Sequence, residues 1–154
     1  MSEDQAGSTQ ERLAGTWRLV SFTLKHPTGR ETHPYGTDAV GLLVYDSEGH
    51  MAGQIMSRRR PPFATERPRG GSDHEVRTAF EGYIAYFGSY TVDEPNALVT
   101  HHVEGALLPN WIGSQQKRTY AFRDGRLVLS AKIDAGILAE IVWEHAGSQL
   151  FTRA

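Results

Sequence analysis

Leu98 to Trp111 reads LVTHHVEGALLPNW, two adjacent histidines and a glutamate in an apolar run that stops at Pro-Asn-Trp. Successive side chains of an extended chain point to opposite faces, so His101 looks one way while His102 and Glu104 look the other. One of those faces is expected to border a cavity. Leu13 to Leu24, LAGTWRLVSFTL, adds a Gly-x-Trp opening to a first strand, and the two segments together point to a small ligand-holding β-barrel.

Outward from these segments the periodicity stays near two, with turn signals at the intervals of an antiparallel barrel or sandwich. Residues 1–9 read as a disordered N-terminus, and 10–154 as the barrel domain. Gln10 to Ala14 suits a short helical turn before a strand Gly15 to Leu24, after which Pro27-Thr28-Gly29 turns the chain. Strands Ala39 to Tyr45 and His50 to Ser57 make a hairpin across Asp46-Ser47-Glu48-Gly49. Arg58 to Gly71, RRRPPFATERPRGG, must be a loop, because its prolines stop both helix and central strand. Ser72 and Glu75 have capping-box spacing, and Val76, Phe80, Tyr83 and Phe87 follow at helical spacing up to Gly88. One amphipathic helix is therefore expected over 73–87. Further strands fit Ser89 to Asp93, Ala97 to Glu104, Ser114 to Arg123, Arg126 to Ala131 and Ile137 to His145. The fold class is mainly β, an antiparallel up-and-down barrel of about eight strands, the number at which a closed barrel is just wide enough for one small ligand.

The chain has 154 residues, enough for one domain with a real core. Its formal charge of −2 and pI near 6.4 give no strong basic field to hold nucleic acid or an anionic membrane. Absence of cysteine removes a disulfide framework and any thiolate nucleophile, and no apolar run approaches the roughly 18 residues of a membrane span. MSEDQAGSTQ lacks the basic start and apolar core of a signal peptide, so a cytoplasmic protein is expected. A homodimer is compatible with this composition but not written in it. There is no Gly-x-Ser-x-Gly elbow, phosphate loop or dinucleotide fingerprint, which disfavours hydrolase and kinase chemistry.

The strings GTWRLVSF, PYG at Pro34 to Gly36, GYIAYFGSYTVDE and VTHHVEGALLPNW occur in order over nearly the whole chain. In them the sequence resembles the bacterial and fungal lipocalin-like domain family, within the calycin group of β-barrels. The resemblance implies an up-and-down barrel that binds small, largely apolar molecules, and it implies no single reaction. Some relatives by fold act as cyclases or isomerases in natural-product pathways. Binding of a small apolar molecule is thus the leading expectation. A cofactor-independent cyclase, isomerase or dehydratase working on a polyketide-like or terpenoid intermediate is the alternative.

Within the histidine strand, Val99, His101, Val103 and Gly105 form the more apolar parity, which favours His101 for the interior. The opposite parity would bring His102 and Glu104 inside as a carboxylate-oriented imidazole, and sequence leaves both open. In the enzymatic reading His101 or His102 moves the proton, Glu104 orients it, and Tyr86 or Tyr90 donates to a developing oxyanion. The competing reading of the histidine is structural, hydrogen-bonded within the barrel wall. For ligand binding, Tyr86 and Tyr90 flank the expected helix-to-strand break, and Asn110, Trp111 and Gln116 gather at one mouth. Tyr45, Met51 and Met56 come from the early hairpin, and Trp111 is the leading wall residue. The resemblance makes Trp17 an end-closing residue with Arg118 or Arg153 stacked on it; Arg118 could instead be an interior cation for a carboxylate ligand. No metal is expected from the seven histidines, since His101 and His102 cannot reach one ion from a regular strand and no His-x-His or His-x-x-x-His occurs. No cofactor is called for either. Arg58, Arg59, Arg60, Arg67 and Arg69 make a positive loop able to attract an anion, and that loop with the following helix is a candidate cover for the mouth.

Overall fold

Alternating apolar positions need a shared interior to fill, and a ring of strands supplies one. In the computed structural model, which describes residues 7–147, the strands are β1 (Gly15–Lys25), β2 (Glu31–Thr32), β3 (Val40–Tyr45), β4 (His50–Met56), β5 (Tyr83–Asp93), β6 (Leu98–Ala106), β7 (Gln115–Arg123), β8 (Arg126–Ile133) and β9 (Ile137–His145). Sheet neighbours pair antiparallel, and β1 also pairs with β9. Strands β1 and β3 to β9 therefore make a closed eight-strand barrel, with the two-residue β2 added beside the end of β1. So short a strand carries no alternation for a sequence reading to find. The Asp46–Gly49 turn closes as expected: Asp46 Oδ1 accepts from the Glu48 and His50 backbone N–H groups at 2.9 and 2.7 Å, and Gly49 takes a φ of +95°.

The helix is shorter than its spacing predicts. Ser72 and Glu75 form the capping box, but α2 (Asp73–Glu81) ends at Gly82 rather than near Phe87. Tyr83 already opens β5, pairing with Met56, and the register runs residue by residue to Ser89 opposite His50. Tyr83 and Phe87 satisfy both a helical stripe and a strand; seven consecutive backbone partners on β4 decide for the strand. Tyr86 and Tyr90 consequently lie within one strand and do not flank a break. The surviving part of the stripe is not buried, with Val76 49% and Phe80 45% exposed.

One end of the barrel is sealed. There α1 (Thr9–Leu13) is capped by Ser8, whose hydroxyl accepts from the Glu11 N–H. It presses the fully buried Leu13 inward, and the Trp17 indole N–H donates to the Leu13 carbonyl at 2.8 Å. The Arg12 guanidinium lies 3.9 Å over the Phe122 ring. Residues 1–6 of the segment read as disordered, and Arg153, lie outside the described residues. Trp17 stacks on His145, ring centroids 3.8 Å apart, and not on Arg118, which lines the cavity instead. A β-bulge between Leu19 and Ser21 exchanges the faces of β1, so Trp17 and Leu19 pack at the sealed end while Phe22 and Leu24 face the cavity. No helix among the described residues is long and apolar enough to cross a membrane.

Candidate functional site

Between the sealed end and the opposite mouth lies a cavity of about 410 Å³, within the range of small-molecule pockets. Its wall is mainly apolar: Phe22, Leu43, Ile84, Leu129, Ile141 and Trp143 come from five different strands. Polar groups concentrate on β5, β6 and β7, where Tyr86, His101, Gln116 and Arg118 all face inward.

His101 is the centre of that cluster. It is 2% exposed, and both ring nitrogens are engaged, Nε2 with the Tyr45 hydroxyl and Nδ1 with the Tyr86 hydroxyl, each at 2.6 Å. Burial, then the Arg118 charge and His102, pushes its pKa down to about 3, so the imidazole is neutral near pH 7. Burial likewise raises both phenols, Tyr45 strongly, against the opposing pull of Arg118. Three neutral groups thus span the barrel interior.

A β-bulge sets this arrangement. The β5–β6 register passes from Phe87 opposite Gly105 to Gly88 opposite Val103, leaving Glu104 as the extra residue on the exposed face. At Gly88 the backbones come so close that a Cβ would meet the His102 carbonyl oxygen at 1.9 Å. His102 turns outward and its Nε2 lies 3.0 Å from the Thr91 hydroxyl. The parity that would have placed His102 with Glu104 inside is not the one adopted. Glu104 therefore cannot orient an interior imidazole.

Arg118 reaches in from β7. Its Nη1 donates to the Lys117 carbonyl at 2.9 Å and its Nη2 to Gln116 Oε1 at 3.4 Å. Gln116 donates onward to the Ser114 hydroxyl, which donates to the Trp111 carbonyl at 2.6 Å. No carboxylate among the described residues pairs with Arg118. Trp111, in a short 3-10 turn Pro109–Trp111, closes part of the mouth and meets Tyr86 edge-on at 5.8 Å.

Of the residues singled out by sequence, Met51, Tyr86, His101, Trp111, Gln116 and Arg118 line the cavity. Tyr45 sits behind His101 as its buried partner. Three others fall elsewhere. Tyr90 is packed at the sealed end, donating to the Asp46 carbonyl at 2.7 Å; Met56 accepts from Arg60 at the strand end; Asn110 is exposed. The arginine loop is fastened rather than free, with Arg59 on Asp38 at 3.3 Å, Arg60 over the Tyr83 ring and Ala64 N–H on Glu75. Neither that loop nor α2 contributes to the cavity wall, so the expected cover is not formed by them. Sequence reasoning missed Phe22, Gln54 and Trp143; Trp143 shares its parity with Ala139 and Ile141 on β9, a signal that was readable. Among the described residues no group of three His, Asp or Glu side chains comes together as a metal site.

The family that the sequence matches agrees with this architecture. The lipocalin-like domain family matches residues 14–150. A protein of Aspergillus oryzae named 4'-hydroxy-3'-methoxypropiophenone carrier protein is 33% identical over 86 residues, covering 52% of this chain and 78% of that one. Among solved structures, a redesigned β-barrel aligns at TM-score 0.44 and 12% identity over 88% of this chain and 93% of its own. The wild-type fluorescent protein UnaG aligns at TM-score 0.40 and 11% identity over 88% and 98%.

Proposed function

Since the chain belongs to the lipocalin-like domain family, we propose that it is a binding protein for a small, largely apolar aromatic molecule carrying a carbonyl or phenolic oxygen. The observation that carries this reading is a mainly apolar cavity into which Tyr86, His101, Gln116 and Arg118 project from the adjacent strands β5, β6 and β7. Apolar walls supply affinity, and a few fixed polar groups select orientation. The name of the Aspergillus oryzae relative, a carrier of an aryl ketone, supports the same ligand chemistry. Binding without turnover is favoured over acid–base catalysis because His101 is held neutral with both nitrogens occupied, while His102 and Glu104 face away from the cavity.

The test is titration of the protein with 4'-hydroxy-3'-methoxypropiophenone, followed by recovery of the compound. Saturable binding, recovery unchanged and weakening by Arg118→Met are expected, with His102→Gln and Glu104→Gln binding as the parent does. Absence of binding, or chemical conversion of the compound that is lost in His101→Gln, would overturn the reading.

A further inference from the structure

A neutral imidazole has one N–H and one bare nitrogen, so of its two tyrosine partners one must donate and the other must accept. Distances alone do not say which, because both contacts are 2.6 Å. Hydrogen accounting does. Tyr45 is 1% exposed, and among the described residues its hydroxyl has no hydrogen-bond partner except His101 Nε2. Were Nε2 the protonated nitrogen, the Tyr45 hydroxyl hydrogen would be buried with no acceptor, a loss of about 1–3 kcal/mol. The favoured arrangement has Tyr45 donating to Nε2. The imidazole proton then resides on Nδ1 and is donated to the Tyr86 oxygen. With its oxygen serving as acceptor, Tyr86 has its own hydrogen to give, and its side chain lines the cavity.

We infer that Tyr45 and His101 are positioning residues in a one-way chain of donors that turns the Tyr86 hydroxyl hydrogen into the cavity, so that the ligand atom seated there is an acceptor such as a carbonyl oxygen. Each donation polarises the next, which strengthens the final donor. Arg118, whose charge partly opposes the burial that raises both phenols, adds a positive field favouring an electron-rich oxygen at the same place. This rests on the binding reading above and specifies the polarity that reading leaves open.

Two measurements test it. Long-range 1H–15N NMR of the unliganded protein should find His101 protonated on Nδ1 alone, and Tyr45→Phe, which deletes the first donor, should give a mixture of tautomers. A proton on Nε2 in the parent protein, or an unmixed Nδ1 tautomer in Tyr45→Phe, overturns the chain. In binding, the parent should prefer 4'-hydroxy-3'-methoxypropiophenone over 2-methoxy-4-propylphenol, which lacks the carbonyl, by about tenfold, the usual scale of one buried hydrogen bond. Tyr86→Phe should erase that preference and Tyr45→Phe should reduce it. A preference that survives Tyr86→Phe overturns Tyr86 as the donor. If the parent binds neither compound, the binding reading fails on its own, and the tautomer still decides the chain.

Discussion

The two ends of the barrel are built for opposite purposes from the same strands. At the sealed end Leu13, Trp17, Tyr45, Val99 and Leu127 are almost completely buried, and a short helix is driven into the opening. At the mouth the longer helix α2 buries no residue, and Ile112 and Ile133 remain exposed beside the cavity. Close packing is where core energy accumulates, and a cavity forgoes it. Stability is therefore expected to reside at the sealed end and ligand selection toward the mouth, with the His101 cluster between them.

The largest effect that could break this division is at Trp17. Trp17→Ala removes a buried ring, its stacking on His145 and its bond to Leu13, and should cost about 3–5 kcal/mol in urea unfolding. A loss below about 1 kcal/mol would mean the sealed end does not carry the fold.

Next in size is the pH dependence due to His101. Its folded pKa, near 3, lies below the ordinary 6.5, so the unfolded chain takes up a proton that the native imidazole refuses. That contribution to stability is complete above pH 6.5 and is lost as pH falls toward 3, at up to about 1.4 kcal/mol per pH unit. Unfolding free energies measured at pH 7 and 5 should differ less in His101→Gln than in the parent; an equal difference would place the titrating group elsewhere.

The smallest effect sharpens the contrast from the other side. Ser72→Ala removes the cap of α2, worth about 1 kcal/mol to the helix itself. Because α2 buries nothing, hydrogen exchange should quicken over Asp73–Glu81 while global unfolding moves by clearly less than that. An equal shift in both would tie the mouth-end helix to the core.

How far these regions could be read from sequence follows the same division. Strand alternation placed β1, β3, β4 and β9 within a residue or two of their true bounds, because each strand has one packed face. Apolar parity also favoured His101 for the interior. What was hidden depended on partners remote along the chain. Helix gave way to strand at Tyr83 because β4 lay alongside, a tertiary fact that overrides local spacing. Trp17 found His145 rather than Arg118, since β1 and β9 meet only when the ring closes. Tyr45 and Tyr86 were each singled out, but their union on one imidazole needs three strands in register. The bulge that puts Glu104 outside leaves no periodic trace, only a glycine at position 88.

The seam between β1 and β9 also has a kinetic meaning. The first strand of the ring finds its second neighbour only in the last, Trp17 opposite His145 through Lys25 opposite Leu138. During synthesis the nascent chain must carry β1 with one open edge until β9 has emerged, and such long-range pairing is intrinsically slow. Closure of the cylinder waits on that last pairing, and the indole–imidazole stack lies on the seam it makes.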